Sequence, residues 1–212
     1  MNETLHTNDA LAEKKSRAGS FLSELIRFAL ITLFIVLPIR IYIAQPFIVS
    51  GSSMDPTFES GEYLIVDELS YRLRPPERGD VIIFRFPHDT SKFFIKRIIG
   101  LPNETVAVNG QEVTIENAEH PEGFILDESY VTHETFGTLR STLGDDEYFV
   151  MGDNRPASSD SRIWGTLKKD LIIGRALIRL LPVSEASLLP GKHRYADGEG
   201  DASLDTERSP LE

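Results

Sequence analysis

The sequence predicts a mainly β chain: a compact all-β domain of antiparallel sheets preceded by one N-terminal transmembrane helix. Three observations predict it. From Phe21 the run FLSELIRFALITLFIVLPIRIYIAQPFIV is apolar apart from a few charges. After residue 50, apolar runs of strand length recur between breaks rich in Gly, Pro and Asn, without a helical period of useful length. Asn109-Gly110 sits between two such runs, and Asn-Gly suits a type I′ hairpin turn.

The 212 residues suffice for one domain of moderate size plus tails. A net charge of −11 argues against nucleic-acid binding, which needs a basic face. The chain has no cysteine, which excludes disulfides, thiolate metal sites and Cys nucleophiles together. Its 5 histidines are scattered without metal-ligand spacing, so neither a metal nor another cofactor is expected.

Taken in order, residues 1–19 are polar, carry Lys14, Lys15 and Arg17, and are expected to be a disordered N-terminal segment. Residues 20–44 form the expected anchor. The uncharged core from Phe28 to Ile39 is shorter than the roughly 20 residues that span a bilayer. Arg27 and Arg40 bracket it and can snorkel toward headgroups, which lengthens the usable segment. A cleaved leader fits less well, because Tyr42 would occupy the −3 position ahead of Ala44. A buried core helix fits the length but not the basic flank. The positive cluster before the segment places the N-terminus in the cytoplasm and the rest outside, for a single-pass protein of the cell membrane.

Residues 45–190 read as the β-rich domain. Strands are expected at Tyr63–Asp67, Val81–Pro87, Lys92–Ile99, on both sides of Asn109-Gly110, at Glu147–Met151 and at Leu171–Leu181. Residues 116–146 show no clear period and read as irregular. The tail 191–212 is acidic, rich in Gly, Asp and Ser, and expected to be disordered.

Three clusters can carry chemistry. Gly51-Ser52-Ser53-Met54-Asp55-Pro56-Thr57 is either a plain turn or a turn bearing a nucleophile. A serine attacks carbonyls only when a base takes its proton, and no histidine here lies in a motif-like setting. A lysine serves if burial keeps it neutral. Lys96 shares a strand face with Phe94 and Ile98, so it is either a snorkelling lysine or a desolvated one. Arg97 beside it cannot lose its proton and needs an acid or water. The third cluster, Met151 to Gly165, is dense in hydrogen-bonding side chains, with Asp153, Arg155, Asp160 and Arg162 suited to a charge network.

Four segments resemble the type I signal peptidases, membrane-bound serine endopeptidases that remove signal peptides from exported proteins. They are Ser53-Met54-Asp55-Pro56-Thr57, Arg78-Gly79-Asp80 with its following apolar strand, Lys96-Arg97 leading to Gly100-Leu101-Pro102, and Gly152-Asp153-Asn154-Arg155 through Ser158-Ser159-Asp160-Ser161-Arg162 to Trp164-Gly165. The resemblance implies Ser53 as nucleophile and Lys96 as general base, with Ser158 hydrogen-bonded to the lysine and Asp160 and Arg162 holding the loop. It implies an oxyanion hole using the Ser53 backbone N–H. Some relatives add a serine hydroxyl two positions earlier, where this chain has Gly51; Ser52 is adjacent. It further implies signal peptides as substrate, bound as an added strand between walls formed by Phe47, Ile48, Val49, Phe94 and Ile95. The competing readings are a catalytically inactive, membrane-tethered peptide-binding β-domain and a Ser/Lys self-cleaving repressor. The second lacks its helix-turn-helix.

Overall fold

The computed structural model describes residues 21, 23–36, 44–133 and 137–195. Two compact units divide at Gln45/Pro46. In the first, residues 23–31 are helical and pass into a π-helix at Thr32–Val36. Among the described residues no helix is long and apolar enough to cross a membrane. Of the expected anchor, residues 20, 22 and 37–43 lie outside them, as does all of the expected N-terminal segment 1–19.

The second unit is built from strands. Its main sheet runs β1 (Ala44–Ile48), β2 (Tyr63–Asp67), β11 (Ile172–Leu181), β3 (Val81–Phe86), β4 (Asp89–Gly100), β9 (Glu147–Met151) and β10 (Leu167–Lys168), with β12 (Ser187–Leu188) also on β11. A smaller sheet runs β7 (Phe124–Ile125), β6 (Glu112–Glu116), β5 (Thr105–Asn109) and β8 (Thr138–Thr142). The pairings from β2 onward are antiparallel.

The alternation in β3 sorts the two faces of the main sheet. Ile82 and Phe84 join Ile98, Tyr148, Val150 and Leu167 in one core cluster. Val81 and Ile83 point the other way, to Met54, Phe58, Leu64, Val66 and Ala176. Successive strand residues alternate faces, so one apolar run serves both cores. A third cluster, with Ile99, Val106, Val108, Val113, Ile115, Phe149 and Met151, lies under the smaller sheet.

Three expectations need correction. Residues 116–146 are not wholly irregular, since they contribute β7 and β8. The hairpin turns one residue later than Asn109-Gly110: Asn109 pairs with Glu112, which leaves Gly110-Gln111 as the loop. Only Gly110 has positive φ (62°), whereas a type I′ turn needs it at both central positions. The tail is not disordered from residue 191. Residues 191–195 pack on the domain, and 196–212 lie outside the described residues.

β4 is long because its halves have different partners. Phe93 to Arg97 pair with β3, whereas β9 pairs only from Arg97 onward. Among the described residues, the β9-side edge before Arg97 has no strand on it. The strands β1-β2-β11-β3-β4 also curl, so the outer strand β1 approaches β4. The ring of Phe47 on β1 lies 5.5 Å from that of Phe93 on β4.

Candidate active site

Ser53 stands on the turn between β1 and β2. Buried Met54 and Phe58 pin this turn to the core, and Phe58 N–H donates to the Met54 carbonyl at 2.9 Å. The base of the excursion is closed by Val49 N–H to the Glu62 carbonyl and Gly61 N–H to the Val49 carbonyl, both 2.9 Å. Asn154 N–H donates to the Ser53 carbonyl at 3.1 Å, which ties the turn to the loop after β9.

Lys96 faces Ile82 across the β3–β4 pair and is only 4% exposed. Its Nζ lies 2.7 Å from Ser53 Oγ and donates to the Ile95 carbonyl at 2.8 Å. Burial lowers its pKa from 10.5 to about 8, against the pull of the Asp160 and Asp153 carboxylates. The desolvated reading of Lys96 holds and the snorkelling one does not. A neutral amine at this distance can accept the serine proton.

The loop is braced by buried charge pairs. Asp160 accepts from Gly152 N–H at 3.0 Å and from Arg162 Nε and Nη2, both at 2.8 Å. Arg162 Nη2 also donates to the Arg155 carbonyl at 2.6 Å. Arg155 makes a two-pronged pair with Glu128 at 2.8 and 2.5 Å. The acid that Arg97 needs is Asp153, bonded at 2.8 Å through Nε and 2.6 Å through Nη2, with both side chains 1% exposed. Asp153 Oδ2 also accepts from Thr57 Oγ1 at 2.5 Å, so the pair grips the Ser53 turn.

Ser158 departs from expectation. It is buried, but its Oγ has no hydrogen-bond partner among the described residues. The second bond of Lys96 Nζ goes to the Ile95 carbonyl and not to Ser158. Ser158 instead packs against Gly152. A Cβ at Gly152 would lie 2.3 Å from Ser158 Oγ and 2.4 Å from the Ser53 carbonyl oxygen. Gly152→Ala is therefore expected to displace the Ser53 turn and cut cleavage by roughly 10²-fold, as a misplacement of about 1 Å can do. Initial rates at saturating substrate check this.

A groove of about 620 Å³ runs from Ser53 and Lys96 between β1 and the open edge of β4. Phe47, Ile48, Val49, Phe94 and Ile95 all line it, as do Gly51 and Ser52. Leu64, Ile83, Ala157 and Ser159 also line it and were not legible as walls. Leu64 and Ile83 share a core cluster with Val49, a tertiary contact that strand alternation does not encode. Gly51, at φ 94°, has open space where a side chain would stand.

A family model described as "Signal peptidase, peptidase S26" matches residues 22–181. A probable signal peptidase I-1 of Synechocystis is 38% identical over 77% of this chain and 85% of its own length. A probable signal peptidase I-2 of the same organism is 36% identical over 84% and 81%. A signal peptidase I crystal structure from Enterococcus faecalis aligns with 48% of this chain and 97% of its own at 30% identity and a TM-score of 0.42. Given a match that includes the serine turn, the buried lysine and the braced loop, the chain belongs to the signal peptidase family, peptidase S26.

Proposed function

We propose that this signal peptidase removes signal peptides from exported preproteins through an acyl-enzyme, with Ser53 as nucleophile and neutral Lys96 as general base. The observation that carries the reading is the 2.7 Å approach of Lys96 Nζ to Ser53 Oγ at the end of an open groove. Lys96 takes the hydroxyl proton as Oγ attacks the scissile carbonyl. The resulting ammonium then protonates the leaving amine, and water deacylates by the reverse path. The Ser53 N–H serves the oxyanion. Asp160 and Arg162 hold the loop, within which Ser158 packs against Gly152 beside the Ser53 carbonyl.

Substrate enters as a strand. The unpaired edge of β4 before Arg97 offers backbone groups to an extended peptide, and β1 flanks it on the other side. Phe47, Ile48, Val49, Phe94 and Ile95 wall the binding segment, and small residues at −1 and −3 fit shallow pockets there. Cleavage of a preprotein by the purified chain tests the reading. Ser53→Ala is expected to lower the rate by about 10⁶-fold. Activity surviving both that change and Lys96→Ala would sink the dyad.

Residues 20–44 anchor the chain in the cell membrane, with residues 1–19 cytoplasmic and 45–190 extracytoplasmic. Support comes from the described part of this segment, where Phe21, Leu25, Phe28, Leu33 and Phe34 are all exposed, a surface that calls for lipid. The full chain is expected to stay with the membrane fraction through alkaline extraction. Release into the supernatant would contradict the anchor.

A further inference from the structure

The segment Gly191–Tyr195 lies beyond the family-matched residues 22–181 and outside the groove, yet it closes over the support of the Ser53 turn. The Gly191 carbonyl accepts from Arg97 Nη1 at 2.5 Å. A Cβ at Gly191 would lie 2.6 Å from Thr57 Cγ2 and 3.0 Å from Phe58 Cε2, so the backbone here is pressed directly against that turn. Lys192 Nζ pairs with Glu77 at 2.9 Å. The His193 carbonyl sits where a Cβ on Gly79 would be, at 2.1 Å. Tyr195 Oη lies 2.6 Å from Tyr130 Oη, and the Tyr130 ring covers the Arg97 guanidinium at 3.9 Å.

We propose that Gly191–Tyr195 is a positioning strap: it caps Arg97 and leans on Thr57, so that the Arg97–Asp153 pair holds Ser53 in register with Lys96. The route is short. Arg97 and Thr57 both bond Asp153, and the next residue, Asn154, donates to the Ser53 carbonyl. The strap touches neither Ser53 nor the groove, so it acts on turnover and not on substrate binding. It also keeps water from the Arg97–Asp153 pair. Without it, water enters beside the site and relieves the burial that holds Lys96 below its ordinary value, so its pKa rises.

This inference rests on the Ser53–Lys96 reading, and the experiment separates the two. Preprotein cleavage is compared for the full chain, a chain ending at Tyr195, one ending at Pro190, and the full chain carrying Gly191→Val or Tyr195→Ala. Ending at Tyr195 is expected to keep kcat within about twofold. Ending at Pro190, and Gly191→Val, are expected to lower kcat by roughly tenfold to a hundredfold with KM little changed. The acid limb of the rate profile should move to higher pH. Tyr195→Ala is expected to act in the same direction, and it decides the matter if the shorter chain does not fold. A folded Pro190-terminated chain, or a folded Tyr195→Ala chain, with unchanged kcat and pH profile would overturn the strap. Loss of stability alone, with kcat per folded molecule and the profile unmoved, would overturn it too. Failure of the dyad itself would show separately, as cleavage that persists in Ser53→Ala and Lys96→Ala.

Discussion

Replacing Lys96 with methionine is expected to remove activity and stabilise the fold at once. Loss of the general base should cost roughly 10²–10⁴-fold in rate. The stability gain follows from the sign of the pKa change. Lys96 titrates at about 8 in the folded chain against 10.5 for the free amine, because burial disfavours its charge. Between those values the unfolded chain binds a proton that the folded chain does not, so stability rises with pH across this window. Below about 8 the full cost of the buried ammonium is present, about 3 kcal/mol at about 1.4 kcal/mol per pKa unit. Methionine fills similar space without charge. Denaturant unfolding of the full chain at neutral pH should show the variant more stable by about 1–3 kcal/mol, with the difference vanishing above about pH 10.5. Equal stability of the two chains at neutral pH would mean that Lys96 is not desolvated.

Asp153→Asn is expected to be among the most damaging substitutions away from the dyad. Arg97 is 1% exposed and cannot discard its proton, so the change leaves a buried cation facing a neutral amide. Breaking one side of such a pair costs about 3–5 kcal/mol. Asp153 also receives Thr57, so the Ser53 turn loosens and kcat falls with stability. The paired change Arg97→Met with Asp153→Leu is expected to recover most of the stability, since apolar replacement of a whole buried pair is often neutral. It should not recover activity, because Thr57 Oγ1 then has no carboxylate to tie the Ser53 turn to the loop after β9. Thermal melts and cleavage rates on Arg97→Met, Asp153→Leu and the double close the cycle. Simple additivity in stability would mean that the pair is not coupled.

The strands that position the site were legible because each is buried on at least one face. β2 was expected at Tyr63–Asp67 and lies there, and β3 and β4 followed from VIIFRF and KFFIKRII. β8 was not legible. Its sequence, TLRST, is polar and placed at a sheet edge, with only Leu139 and Ser141 partly covered, so no apolar alternation marks it. β7 is two residues long and carries no period at all. The need of Arg97 for an acid could be read locally, but the choice of Asp153 depends on β4 pairing with β9. Glu128, which holds Arg155, sits in the stretch that read as irregular. The strap was missed for a related reason. It is held by a backbone carbonyl, a glycine's close approach and a tyrosine contact, none of which leaves a periodic trace in a polar segment. The approach of Lys96 to Ser53 matches the motif resemblance, whereas the expected Ser158 bond to Lys96 is absent and Lys96 Nζ donates instead to the Ile95 carbonyl of its own strand.

The dependence of kcat/KM on pH, measured on a preprotein from about pH 6 to about pH 10, tests the dyad most directly. Only the neutral amine can take the Ser53 proton. The rate should therefore rise about tenfold per pH unit below the Lys96 pKa and level off above about 8. A profile flat across the neutral range, or one falling as pH rises toward 8, would contradict a buried lysine base acting on Ser53.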